Sequence, residues 1–134
     1  MGDRVLLAVT PGTRARLEAA LRGLRLTWVR TSDEVRAELT RGRFELVVIG
    51  AHFDESTWCD ALRFVTNSSP ESRIVCLSGV VEGSLLGQPS IDAFRAACNA
   101  LGAALVLDLL HYASDEAGNR ALRALFEREL ELAA

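Results

Sequence analysis

The run Phe44-Glu45-Leu46-Val47-Val48-Ile49, closed by Gly50, is apolar at four successive positions instead of at alternate ones. A strand with one wet face alternates. A short continuous apolar run bounded by a turn residue predicts a strand buried on both faces, which is the situation of an inner strand in a parallel sheet. Segments of the same kind lie at Arg4–Val9 (RVLLAV), Leu26–Arg30 (LTWVR), Arg73–Leu77 (RIVCL) and Ala103–Leu107 (AALVL). Between them the apolar period changes to that of a helix. Leu17, Leu21 and Leu24 follow the first strand, with Gly23 near the helix end. After the second, Thr31 with Glu34 forms a capping box that opens a helix through Val35 and Leu39. Trp58, Leu62 and Val65 mark a third helix, stopped by Asn67-Ser68-Ser69-Pro70. Ile91, Phe94, Cys98 and Leu101 mark a fourth, ending at Gly102, and Leu122, Leu125, Phe126 and Leu130 a fifth, with Ser114 as its expected N-cap.

Parallel strands need crossovers, and crossover helices cover both faces of a sheet, so five strands alternating with five helices predict a doubly wound α/β fold. The expected architecture is a three-layer sandwich around a five-stranded parallel sheet of order 2-1-3-4-5, the flavodoxin-like order. One connection breaks the rhythm. Gly79–Pro89 (GVVEGSLLGQP) is long for a loop and carries the apolar pairs Val80-Val81 and Leu85-Leu86. Such a segment covers the strand edge, meets a partner or folds back on its own core.

Composition narrows the function classes. With 134 residues, 49% of them hydrophobic and 25% charged, the chain matches one domain with one core. No stretch approaches the roughly 20 apolar residues needed to cross a bilayer and no signal-peptide pattern follows Met1, so a soluble cytoplasmic protein without a membrane partner is expected. Cys59, Cys76 and Cys98 are odd in number and far apart, which suggests neither a disulfide framework nor a zinc site. All 15 basic residues are arginine; without a lysine there is no P-loop and no Schiff base. Residues 1–43 carry a net +4 and residues 44–134 a net −7. The basic part has neither cation runs nor interleaved aromatics, a thin footprint for nucleic acid, so no nucleic-acid partner is expected. Arg14, Arg16, Arg22 and Arg25 read as the wet side of one helix and its exit. Gly-x-Ser-x-Gly, Gly-x-Gly-x-x-Gly and Cys-x-x-Cys patterns are missing, and Thr10-Pro11-Gly12-Thr13 only faintly echoes a flavin phosphate loop, so no cofactor is expected. Trp28 and Trp58 read as packing residues.

Five alternating units in this length, Pro11-Gly12-Thr13-Arg14 after the first strand and Gly102-Ala103 before the fifth, resemble the receiver domain of bacterial response regulators over nearly the whole chain. In receivers, two acids after strand one bind Mg²⁺, an Asp ending strand three accepts phosphate, a Thr or Ser ends strand four and a Lys ends strand five. Here Ala8-Val9-Thr10-Pro11 stands where the acids belong, Gly50 at the phosphoacceptor and Leu109 at the lysine, with Ser78 the one match. Leu110 replaces the following proline and Val106 the aromatic switch residue. Mg²⁺ prefers carboxylate oxygens that Val9 and Thr10 lack, and glycine has no side chain to phosphorylate. The resemblance thus implies a pseudo-receiver over residues 1–134, neither enzyme nor metal protein, signalling by contact. Its expected partner is another protein or a second copy, bound through helix four, strand five, helix five and the 79–89 loop.

Ligands of open α/β sheets bind beyond the carboxyl ends of the strands. That rule makes His52, Asp54, Glu55, Asp108 and His111, with Thr10 and Ser78, an alternative small-ligand or metal site with hydrolytic potential. The competing reading has Asp54 cap the third helix, Glu55 occupy its first turn and Phe53 pack beneath.

Overall fold

A computed structural model describes residues 4–79 and 91–133. The element order is β1 (Arg4–Ala8), α1 (Pro11–Ala20), β2 (Arg25–Val29), α2 (Ser32–Arg41), β3 (Leu46–Gly50), α3 (Phe53–Ser56), α4 (Trp58–Ser68), β4 (Arg73–Ser78), α5 (Ile91–Ala100), β5 (Leu105–Asp108), a 3₁₀ turn (Leu109–His111) and α6 (Glu116–Ala133). The five strands are parallel in the order β2-β1-β3-β4-β5. The expected topology holds, and five helices become six: α3 is an extra four-residue turn whose Asp54 (φ 45°) and Glu55 (φ 56°) are left-handed.

The continuous apolar runs are explained by two cores that divide each strand residue by residue. Leu6, Ala8, Val47, Ile49, Ile74 and Cys76 join Val35, Phe53, Leu62, Val65, Phe94 and Cys98 on the α2, α4 and α5 side. Val5, Leu7, Val9, Leu46, Val48, Val75 and Leu77 join Leu17, Leu21, Leu122, Phe126 and Leu130 on the α1 and α6 side. Both sets follow the period of two that a pleated strand imposes.

Element ends moved by a few residues for local reasons. Strand three begins at Leu46 and not Phe44; just before it the Glu45 carboxylate accepts from the Arg4 amide at 2.6 Å. Strand five begins at Leu105 and not Ala103; Gly102 at φ +104° ends α5, and the Ala103 amide turns back to the Cys98 carbonyl at 3.0 Å, a Schellman closure. The N-cap of the last helix is Asp115 and not Ser114: its carboxylate accepts from the Gly118 amide at 2.8 Å. At α2 the capping box forms, with the Glu34 amide donating to Thr31 Oγ1, while the Glu34 carboxylate reaches the Arg30 amide at 2.7 Å, one residue before the cap.

At the far end of the sheet, Arg73 Nε and Nη2 donate to Glu129 Oε1 at 3.1 and 3.0 Å, tying β4 to α6. Glu129 is 6% exposed, and only Arg73 keeps access to water. Replacing Glu129 with Ala leaves a half-buried guanidinium unpaired, and urea denaturation is expected to register a loss of about 1–2 kcal/mol.

Candidate functional site at the carboxyl edge of the sheet

The carboxyl ends of β1, β3, β4 and β5 converge on a small closed space lined by Thr10, Thr13, Gly50, Ala51, His52, Leu77, Ser78, Gly79 and Leu109. Its volume is about 10 Å³. That is room for one water molecule and no more. Three residues narrow it or stand behind its wall. Val9 is buried, and its Cγ1 would lie 3.5 Å from a Cβ built on Gly50, so it stands against the spot from which a side chain at position 50 would grow. Leu109 turns inward and joins the core on the α1 and α6 side. From the first turn of α1, the Thr10 hydroxyl donates to Thr13 Oγ1 at 3.3 Å, which uses hydroxyl capacity inside the space. Above these, Trp28 Nε1 donates to the Val9 carbonyl at 2.9 Å, and the Arg14 guanidinium stacks 4.2 Å from the Trp28 ring. Arg14, expected to be merely solvated, is thus one of the groups that cover β1's exit.

Asp108 lies behind Gly79 at the end of β5. Its Oδ1 accepts from the Leu110 amide at 3.0 Å and caps the 3₁₀ turn, while Oδ2 lies 3.7 Å from Nε2 of the exposed His111. Gly79 lies directly against it at φ +109°; a Cβ there would clash with Asp108 Oδ1 and sit 2.9 Å from the Leu110 amide nitrogen. Only glycine fits that backbone and that gap.

The five candidate ligands are distributed over three places. His52 lines the closed space, and Asp108 with His111 forms a pair at the end of β5. Asp54 faces elsewhere: its Oδ2 accepts from the Ser32 amide at 2.8 Å, and its carbonyl accepts from the Thr57 hydroxyl at 2.8 Å. The expectation that Asp54 caps the following helix is therefore corrected. Two successive left-handed residues swing its carboxylate away from α4, whose N-cap Thr57 makes no side-chain capping bond, and onto the first turn of α2. Glu55 is exposed on that turn, and Phe53 packs beneath it, fully buried. Among the described residues no three His, Cys, Asp or Glu side chains are grouped to hold a metal ion. Val80, Val81, Leu85 and Leu86 lie outside the described residues.

Two features escaped the sequence reading. One is an open groove of about 640 Å³ between α2 and α4, lined by Ser32, Asp33, Arg36, Asp54, Thr57, Asp60, Arg63, Phe64 and Asn67, with Arg36 stacked on Phe64 at 4.6 Å. It is made by two helices far apart in sequence, so no local pattern announces it. The other is Leu110, 73% exposed on the turn after β5. A Leu-Leu pair at a strand end signals one buried and one exposed neighbour only once the turn geometry is known.

Comparison places this geometry. The signal receiver domain of an HD domain-containing protein from Pseudomonas fluorescens Pf-5 superposes with a TM-score of 0.76 at 18% identity, over 98% of this chain and 89% of that one. A response regulator from Thermotoga maritima gives 0.73 at 16%, over 98% and 99%. The fold is the receiver fold. The phosphorylated cyanobacterial phytochrome response regulator RcpA shares it as well, with a TM-score of 0.75 at 13% identity, over 100% and 98%. No family model matches the chain, and no curated protein matches it. Among the described residues, no helix of this receiver-fold chain is long and apolar enough to cross a membrane.

Proposed function

We propose that this chain is a phosphorylation-independent pseudo-receiver: one domain over residues 1–134 that signals in the cytoplasm by binding a protein, and not an enzyme. The observation that carries the reading is the closed space at the strand ends. A phosphorylated receiver must hold a metal ion, an acyl phosphate and a cation there together, and about 10 Å³ beside Gly50 and Leu109 has no room for that set. The groups that remain, Thr10 and Ser78, offer hydroxyls without a carboxylate.

The test is an amide NMR titration with Mg²⁺ and beryllofluoride, a phosphoryl mimic. The spectrum is expected to stay unchanged around Thr10, Gly50 and Ser78, and localised shifts there would overturn the reading. Gly50→Asp extends the test. A Cβ at position 50 meets Val9 at ordinary contact distance; once circular dichroism shows the variant folded, acetyl phosphate is expected to leave its mass unchanged because no metal acids and no lysine accompany the new carboxylate.

The partner surface in this reading comprises α5, β5 and α6 with the 79–89 loop, and a second copy of the chain is the first occupant to test. The exposed Leu110 supports it, since a large apolar side chain standing in water beside a strand end is an anchor of the type interfaces bury. Leu110→Asp is expected to weaken self-association about tenfold or more in sedimentation equilibrium while the melting temperature holds. Equal association of both proteins would remove this surface from the proposal. The small-ligand alternative requires His52 and Asp54 to meet one ligand, and Asp54 is committed to Ser32 at 2.8 Å. Adding Zn²⁺ to the same titration, with His52→Ala as control, tests that alternative directly.

A further inference from the structure

The open groove between α2 and α4 carries one short pattern on both walls: Asp33-x-x-Arg36 on α2 and Asp60-x-x-Arg63 on α4, the second followed by Phe64. Ser32 Oγ lies 3.3 Å from Thr57 Oγ1, so the two helices start level at the carboxyl edge of the sheet. With a rise of about 1.5 Å per residue, each carboxylate lies nearly one turn closer to that edge than the guanidinium of its own helix. The groove is thus acidic at its upper end and basic further down, with Phe64 beyond. All four charged residues are exposed, and among the described residues none has an ion-pair partner.

We propose that this groove takes α6 of a second copy of the chain, lying parallel to α2 and α4, so that Asp60 meets Arg128, Arg63 meets Glu131 and Phe64 meets Leu132. The complement stands on α6 at the same spacing. Arg128, Glu131 and Leu132 are at i, i+3 and i+4, which places them on one face of the helix. All three are exposed, Leu132 to 55%, and neither charge is paired among the described residues. An arginine followed three residues later by an acid and then by an apolar residue occurs once in the 134 residues, at this place. Ala124, exposed one turn earlier on the same face, adds no bulk there. The charges also fix the direction, because a reversed helix would set Arg128 against Arg63 and Glu131 against Asp60. A molecule cannot fill its own groove: the groove lies on the α2, α4 and α5 side of the sheet and α6 on the other. Each copy offers two different surfaces, and a heterologous contact of that kind builds chains or rings in place of a closed pair. The contact does not involve Leu110 and goes beyond the surface proposed above.

The test is sedimentation equilibrium of the full-length protein carrying Leu110→Asp, a background without the Leu110 anchor, so that either proposal can fail alone. The weight-average mass is expected to rise with concentration past that of a dimer. It should fall again as salt is raised from about 0.1 to about 1 M, which shortens the screening length from about 10 to about 3 Å. Arg63→Glu or Glu131→Arg alone sets like charges against each other and is expected to weaken association about tenfold or more. Both positions are exposed, and arginine and glutamate are similar helix formers, so each variant keeps its fold. An equimolar mixture of the two single variants again has opposite charges at every contact between unlike copies, and it is expected to recover the association of the background protein. A background protein that stays monomeric at its highest soluble concentration would overturn the proposal and leave the groove to another occupant. Single variants that associate as strongly as the background, or a mixture no stronger than its components, would overturn it as well.

Discussion

Phe53→Ala is expected to lower the unfolding free energy by about 3–5 kcal/mol, the largest loss of any single substitution considered. Phe53 is fully buried among Val35, Leu62 and Phe94, so truncation opens a ring-sized cavity in the core on the α2, α4 and α5 side. The cost has a second part. The next two residues, Asp54 and Glu55, adopt left-handed backbone, which runs to about 1–2 kcal/mol for each residue with a Cβ. The conformation persists because two clamps hold it: the Phe53 ring in the core, and the Asp54 carboxylate on the Ser32 amide. Removing the ring releases the turn and with it the contact between the β3 exit and α2. Urea denaturation checks the stability, and the Ser32 amide proton, freed from its carboxylate, reports the turn. A loss under about 1.5 kcal/mol with the Ser32 signal unmoved would show that the turn needs no such anchor.

Gly118→Ala carries the second large effect and, in an ordinary helix, would have the opposite sign. Alanine in place of glycine within a helix normally stabilises by about 1 kcal/mol. Here the added Cβ would fall on the Ala113 carbonyl oxygen, 2.7 Å from its carbon and 2.9 Å from the Ala113 nitrogen. Backbone cannot rotate out of the way, so α6 or the segment before it must shift, and a net loss of about 2–3 kcal/mol is expected. The shift has a further cost, because Arg16 of α1 spans this junction, donating to the Asn119 side chain and, at 2.8 Å, to the Ala113 carbonyl. Arg16→Ala should accordingly cost less in the Gly118→Ala background than in the wild type. Strictly additive losses in the double variant would mean that the two residues act on separate structures.

How much of this was readable in advance depends on whether the cause is local. The five strands and their order follow from short apolar runs, each needing cover on both faces, and the two cores divide those runs as pleating requires. Gly102 ends a helix wherever its neighbours lie. Asp54 misled because an acid before a helix is normally its cap; two left-handed residues, unpredictable from residue type alone, turned it to another helix. Ser114 and Asp115 are both good N-caps, and only the close passage of Gly118 by Ala113 selects the second. At the strand ends, the replaced residues at positions 9, 50 and 109 were visible, whereas the small size of the space beside Gly50 and Leu109 depends on how Val9 and Leu109 pack.

The Arg16 junction also sets an order of events during synthesis. Arg16 and its partner Asn119 are 103 positions apart, and the Arg123 guanidinium reaches the Arg22 carbonyl across 101. The core on the α1 side, where Leu17, Ala20 and Leu21 pack with strand residues and with Leu122, Phe126 and Leu130 of α6, therefore stays incomplete until residues 116–133 have left the ribosome. At about 5–20 residues per second, the gap lasts roughly 5–20 s. Throughout that interval the amino-terminal half is a nascent chain with one sheet face only partly covered, and docking of α6 is the step that completes the cover.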